Sequence, residues 1–260
     1  MLKEIVISLQ AYYHTHRFII KHRLWKWILI PGLIYAVLFC VGIYLFYISS
    51  SSAIEKKKKK SGIEEWIKNS WLSLLLIFAQ IILNLILLLF YFSLFKYLFL
   101  IIGSPLFAYL SEKTESIIEG KEYPFSFKQL MKDMIRGIKL ALRNMLWQTV
   151  YTVSILILSF IPIIGWVTPL LALLVECYYL GFSMLDYSCE RNKLSTAQSI
   201  GFIGRHKGLA IGNGMVFYLM HFIPILGWLL APSYAVIAAT ISLYNAKTEG
   251  LINVSGKINL

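Results

Sequence analysis

Phe160-Ile-Pro-Ile-Ile-Gly-Trp-Val-Thr-Pro169 is echoed further along the chain by Phe222-Ile-Pro-Ile-Leu-Gly-Trp-Leu-Leu-Ala-Pro232. In each copy a proline closes an apolar run, a Gly-Trp pair follows, and a second proline introduces the next run. Proline removes a backbone donor and clashes with the preceding helical turn, so each copy reads as arm, tip and arm, one helical hairpin used twice. The arms are short. Asn144 to Phe160 measures about 25 Å, Gly208 to Phe222 about 22 Å and Ser233 to Ala246 about 21 Å, all below the roughly 30 Å of a hydrocarbon core. The tips offer only Thr168 as a polar side chain, where a water-exposed loop carries several. Both hairpins are therefore expected to stop inside a membrane with their irregular backbone buried in protein. The competing reading is four ordinary spans with Trp166 and Trp228 in the far aromatic belt.

The composition agrees with a bilayer setting. Of 260 residues, 58% are hydrophobic and 15% charged, and the net charge is +12. Four stretches, Trp27 to Ile54, Asn69 to Phe95, Asn144 to Val175 and Gly208 to Ala246, contain no Asp, Glu, Lys or Arg. Each exceeds the length of about 18 residues that marks a spanning candidate. Basic residues flank these runs, which points to anionic headgroups and small anions as partners and away from nucleic acid. Cys40, Cys177 and Cys189 have no CxxC spacing, so neither a disulfide framework nor a zinc site is expected. The first apolar run follows a basic segment and lacks a small-residue cleavage pattern, so it reads as a retained membrane helix.

The expected class is an all-α integral membrane protein with two long transmembrane helices, two half-penetrating helical hairpins and amphipathic interfacial helices. Along the chain this gives an interfacial basic helix over 1–24, a first transmembrane helix over 25–48 and a polar, lysine-rich loop over 49–68. A long second helix over 69–102 comes next, then a loop and amphipathic helix over 103–147. Hairpins over 148–186 and 208–247 follow, joined by a polar connection over 187–207 and ending in a tail over 248–260. Trp71 to Ile102 would measure about 48 Å, so that helix must tilt or project. In the first interfacial helix Leu2, Ile5, Val6, Leu9, Tyr12 and Tyr13 recur at helical spacing; in the second, Leu130, Met134, Ile138, Leu142 and Met145 do, with Lys128, Lys132, Arg136, Lys139 and Arg143 on another face.

Chemistry-bearing motifs are few. GxxxxGK[ST], GxSxG, HExxH and GxGxxG do not occur, and His14 and His16 would point about 160° apart on a helix, unsuited to a shared metal. No enzyme, no metal and no cofactor is expected. The segment His14-Thr-His-Arg-Phe-Ile-Ile-Lys-His-Arg-Leu-Trp-Lys26 concentrates cationic donors ahead of a membrane helix. It reads equally as a positive-inside anchor or as an anion site built on Arg17 and Arg23 with Thr15 and His16, the helix start adding backbone donors. No carboxylate occurs from Ile5 to Ile54. Such a site supplies donors without an ionised acceptor, which favours sulfate over an oxyanion that still carries a proton, unless a remote carboxylate such as Glu112 or Glu176 folds in. Two ionisable residues fall within apolar runs, Lys96 and Glu176. They are candidates for a pathway or for proton coupling, snorkelling being the alternative for Lys96. Gln80 and Asn84 suit interhelical hydrogen bonding, and Gly201, Gly204, Gly208, Gly212 and Gly214 suit close helix approach.

Four blocks resemble the CysZ-type sulfate permeases, whose relatives include the etoposide-induced membrane proteins of eukaryotes. They are Ile19 to Leu33, Ser104-Pro-Leu-Phe-Ala-Tyr-Leu-Ser-Glu-Lys-Thr-Glu115, Tyr178-Tyr-Leu-Gly-Phe-Ser-Met-Leu-Asp-Tyr187 and Arg205-His-Lys-Gly-Leu-Ala-Ile-Gly-Asn-Gly214 with Ile223-Pro and Ala231-Pro to Ala239-Thr240. The resemblance covers roughly Ala11 to Tyr244. It implies two long membrane helices and two half-penetrating hairpins, assembly as a homo-oligomer in the cell inner membrane, and multi-pass sulfate uptake feeding cysteine synthesis. The family's sulfate-contacting Gly-Leu-Arg-Leu type segment has its nearest counterpart in Thr15-His-Arg-Phe18, so Arg17 carries over while the glycine and leucines do not. The function expected is a permease or channel for a small inorganic anion, sulfate favoured, passive or proton-assisted. A non-transporting membrane scaffold of the same fold is the alternative.

Overall fold

A computed structural model describes residues 1–60, 97–120, 126–159, 161, 164–223 and 226–252. Among these residues the chain is helical throughout its regular elements: α1 Leu2–Lys21, α2 Trp25–Lys60, α3 over 97–119, α4 Phe127–Ser159, α5 Thr168–Arg191, α6 Thr196–Arg205, α7 Lys207–His221 and α8 Leu226–Thr248. A short 3-10 turn, Ile164–Trp166, lies at the first tip. Residues 37–99 make one compact unit, and 1–36 with 100–260 make another. Within the smaller unit α2 continues as unbroken helix to Lys60, through residues 49–60 that the polar-loop expectation covers. Lys96, Gln80, Asn84 and most of the expected long second helix lie outside the described residues. Three of the described helices are long and apolar enough to cross a membrane, over Trp25–Tyr44, Thr168–Arg191 and Leu229–Thr248.

In the larger unit the two echoed segments turn the chain between packed helices. α4 runs without interruption from the amphipathic segment into the first apolar arm, 33 residues in all. The tip closes with Gly165 N–H donating to the Ile161 carbonyl at 2.9 Å and the Thr168 hydroxyl to the Gly165 carbonyl at 2.7 Å. Pro169 then falls in the first turn of α5, where its missing donor costs little. α7 and α8 form the second pair. Here the chain departs from the break expected at Pro232, which stands inside α8. The turn beside the proline packs on the start of α2: the Ser233 hydroxyl donates to the Ile28 carbonyl at 3.3 Å, and a Cβ on Gly32 would sit 2.0 Å from the Leu229 oxygen. The return arm is therefore 23 residues, or about 34 Å, longer than the break at Pro232 implied.

The core forms where α5 crosses α7. Phe182, Met184, Leu185, Leu209 and Ala210 are fully buried there, and α1 and α8 pack around them. The crossing is backbone on backbone: a Cβ on Gly181 would meet the Ala210 oxygen at 1.9 Å, and one on Gly214 the Cys177 oxygen at 1.8 Å. Small residues one turn apart on each helix permit this approach, which a membrane environment rewards through dispersion contacts.

α1 buries a face of Ile7, Ser8, Ala11, Tyr12, Thr15 and Ile19, which recur at helical spacing. Of the apolar stripe expected on the interfacial helix, Leu2, Val6, Leu9 and Tyr13 stay exposed while Tyr12 is buried. The buried face is held by hydroxyls. Ser8 donates to the Leu209 carbonyl at 3.1 Å and Tyr12 to the Asn213 carbonyl at 2.9 Å, seating α1 along α7. On α4 the inward positions are Asp133, Leu140, Ala141, Asn144 and Gln148. Arg136 accompanies them into the interior and leaves the basic face on which spacing alone puts it.

Candidate functional site

The basic segment 14–26 folds as an elbow. α1 ends at Lys21, residues 22–24 turn, and α2 begins at Trp25. Arg23 takes a left-handed backbone, φ 52°, at the corner. The corner is closed by Leu24 N–H donating to the Ile19 carbonyl at 3.1 Å and by Trp27 and Ile28 N–H groups donating to the Leu24 carbonyl. Leu24 and Ile28 are buried beneath it. The N–H groups of Trp25 and Lys26 have no recorded acceptor among the described residues, as the first turn of a helix dictates. They add a partial positive charge beside Arg23.

The expected anion ligands do not share one environment. Arg17 is exposed; its guanidinium lies over the Tyr13 ring at 4.5 Å and donates to the Tyr13 hydroxyl. Arg23 is exposed at the corner. His16 bonds through Nδ1 to the hydroxyl of Tyr234 on α8 at 3.0 Å, with the two rings stacked 6.3 Å apart. Thr15 is fully buried, and its hydroxyl proton goes to the Ala11 carbonyl at 2.7 Å. Burial, reinforced by the Lys21 ammonium, holds the His22 imidazole below its ordinary pKa. The residues that seat the elbow, Ser233 and Tyr234 of α8, carry no sequence signal of their own, since each is one polar side chain in an apolar helix.

The acidic residues have partners elsewhere. Glu4 reaches across to α7, accepting from the Gly208 N–H at 3.1 Å and lying 2.7 Å from His206 Nδ1. Glu176 accepts from the Gln148 amide, which joins the two arms of the first hairpin. Glu112 pairs with Arg191 at 2.9 Å, and Arg191 also binds Asp133. Burial pushes the Glu112 carboxyl up, against the pull of Arg191 and with the repulsion of Asp133. Thus Glu112 and Glu176, the carboxylates considered as remote visitors to the basic segment, bond to Arg191 on α5 and to Gln148 on α4.

One buried ionic network has no counterpart in the expectations. Arg136 grips Asp186 with two bonds, Nε to Oδ2 at 3.1 Å and Nη2 to Oδ1 at 2.8 Å, and donates to the Ser199 hydroxyl at 2.6 Å and to the Leu194 carbonyl. With Arg191 it ties α3, α4, α5 and the α6 approach together. The available signal was Asp186 itself, a lone carboxylate among aromatic and apolar residues, which demands a partner when buried.

Comparison with known proteins follows the same outline. The family profile described as Sulfate transporter CysZ/Etoposide-induced protein 2.4 matches residues 13–232. A sulfate transporter CysZ of Pseudomonas syringae pv. tomato is 29% identical over 223 residues, 82% of this chain and 82% of that protein. A protein of the same name from Pseudomonas fluorescens is 27% identical over 60% of this chain, and that match spans 63% of the relative's length. Another, from Pseudomonas aeruginosa, is 27% identical over 69% of this chain and 73% of its own. With 13–232 matched end to end, elbow, both tips and the ionic network included, this chain belongs to the Sulfate transporter CysZ/Etoposide-induced protein 2.4 family.

Proposed function

We propose that the chain is a multi-pass permease of the inner membrane that admits a small inorganic anion, sulfate first, through a path that begins at the elbow. The family is one of transporters, not enzymes, and the relatives named above carry sulfate transport in their names. One observation carries the assignment to the elbow: it is a turn rich in donors, with Arg17, Arg23 and the N–H groups of Trp25 and Lys26, in a stretch with no carboxylate from Ile5 to Ile54. A fully deprotonated oxyanion finds donors there and needs no acceptor in return.

The half-penetrating reading of the first hairpin is supported by its depth. Beyond the Gln148–Glu176 bond the side chains Val150, Val153, Leu156, Ile157, Leu170 and Leu173 are exposed and apolar, and Trp166 is 91% exposed. Gln148 to Ser159 is only about 16 Å of helix, about half a hydrocarbon core. A homo-oligomer would complete the path, with lipid against the remaining apolar faces.

Moving a dianion into a negative compartment costs about 4.6 kcal/mol per 100 mV, so uptake needs consumption of the anion or a coupled proton. Glu176 is the residue proposed to carry that proton, and Lys96 to line the path. Uptake of radiolabelled sulfate into proteoliposomes, compared with phosphate and with Arg17→Ala, tests the whole reading. Saturable sulfate flux that drops at least about tenfold in the variant is expected. Flux no greater than in empty liposomes would favour the scaffold reading.

A further inference from the structure

Tyr234 sits on α8, 8% exposed, and among the described residues the recorded hydrogen-bond partner of its hydroxyl is His16 Nδ1, 3.0 Å away across the elbow. Two arrangements of protons fit that distance. If His16 carried its proton on Nδ1 and donated to the phenol oxygen, the bond would use the weaker acceptor of the two and leave the phenol O–H to find another in a part-buried place. If the phenol donates, both groups are satisfied, and the imidazole proton must reside on Nε2, the nitrogen turned away from α8. The ring stacking, 29° between planes, holds the imidazole in that orientation.

We infer that Tyr234 is a positioning residue that fixes His16 in the Nε2–H tautomer, so that the elbow presents a neutral donor at this position and discriminates against oxyanions that still bear a proton. The inference rests on the elbow being the anion site. Its content is a contribution to selectivity: in the opposite tautomer Nε2 would be a lone pair, one more side-chain acceptor able to receive the proton of hydrogen phosphate in a segment without carboxylates. The donor tautomer offers sulfate one more donor and denies hydrogen phosphate the acceptor at this position.

The test uses the full chain in phospholipid nanodiscs at pH 8, above the ordinary imidazole pKa of about 6.5. Nitrogen chemical shifts of labelled histidine, with His16→Gln identifying the resonance, are expected to show His16 as Nε2–H in the parent protein and as a mixture of tautomers in Tyr234→Phe. Competition of sulfate and phosphate for the same preparations is expected to show the preference for sulfate falling by up to about tenfold in Tyr234→Phe, the worth of one hydrogen bond. An Nδ1–H tautomer in the parent protein overturns the inference whatever the variant does. Arg17→Ala separates the two levels. If it abolishes binding while Tyr234→Phe keeps both fold and full selectivity, this inference falls alone; if it leaves binding intact, the elbow reading falls and takes the inference with it.

Discussion

At the residue scale the elbow depends on what each side chain has left to offer once folding has used part of it. Thr15 has spent its hydroxyl proton on its own helix, His16 has one nitrogen committed to α8, and Arg17 and Arg23 keep exposed guanidinium groups. His22 titrates below the ordinary imidazole range because burial and Lys21 disfavour its charge. A depressed basic pKa means that folding favours the neutral form, so this contribution to stability is present at neutral pH and is lost as pH falls through the folded value. The gain in positive charge comes at the same point. Sulfate affinity should therefore acquire from His22 an increase only below about pH 6.5, and His22→Gln should remove that part of the rise in titration calorimetry run at successive pH values. Sequence showed the cluster of basic residues and its lack of carboxylates, because both are properties of neighbouring positions. It gave no hint of Tyr234, whose partner is 218 positions away.

At the element scale the α5–α7 crossing is the most demanding contact. Gly181→Ala or Gly214→Ala places a methyl group against a carbonyl oxygen on the facing helix, and each is expected to cost about 1–3 kcal/mol, read as a fall in the midpoint of thermal unfolding in detergent. Gly204→Ala is the control. A Cβ there meets nothing within 4 Å, so the variant should be neutral or gain up to about 1 kcal/mol from helix propensity. The list of glycines suited to close approach was legible in the sequence, yet it could not say which ones touch. Gly212 and Gly214 lie against α1 and α5, Gly201 and Gly204 face open space, and the equally crowded Gly181 lay hidden in an aromatic block. Pro232 has the local credentials of a breaker, yet it stands inside α8, whose adjoining turn packs on the start of α2.

At the scale of the whole molecule, the Arg136–Asp186 pair joins α4 to α5 and reaches the α6 approach through Ser199 and Leu194. Removing one partner strands a buried charge, so Asp186→Ala is expected to cost about 3–5 kcal/mol and to reduce the yield of monodisperse protein after extraction. Asp186→Asn keeps an acceptor and should lose less. The depth of the first hairpin has its own readout, because among the described residues Trp166 is the most exposed large apolar side chain. Brominated lipids should quench Trp166 fluorescence most strongly when the bromine lies near the bilayer centre, and a cysteine at that position should resist impermeant thiol reagents from either side. By itself the sequence determined that this is a membrane protein, that a proline-bounded motif occurs twice, and that a run of cationic donors precedes the first apolar helix, since hydropathy, proline placement and charge are written in consecutive residues. Only the tertiary structure decided which donors remain available, which glycines carry a crossing and which carboxylates are already neutralised. Those outcomes depend on side chains brought together from distant positions, where burial makes every unmatched proton or charge expensive.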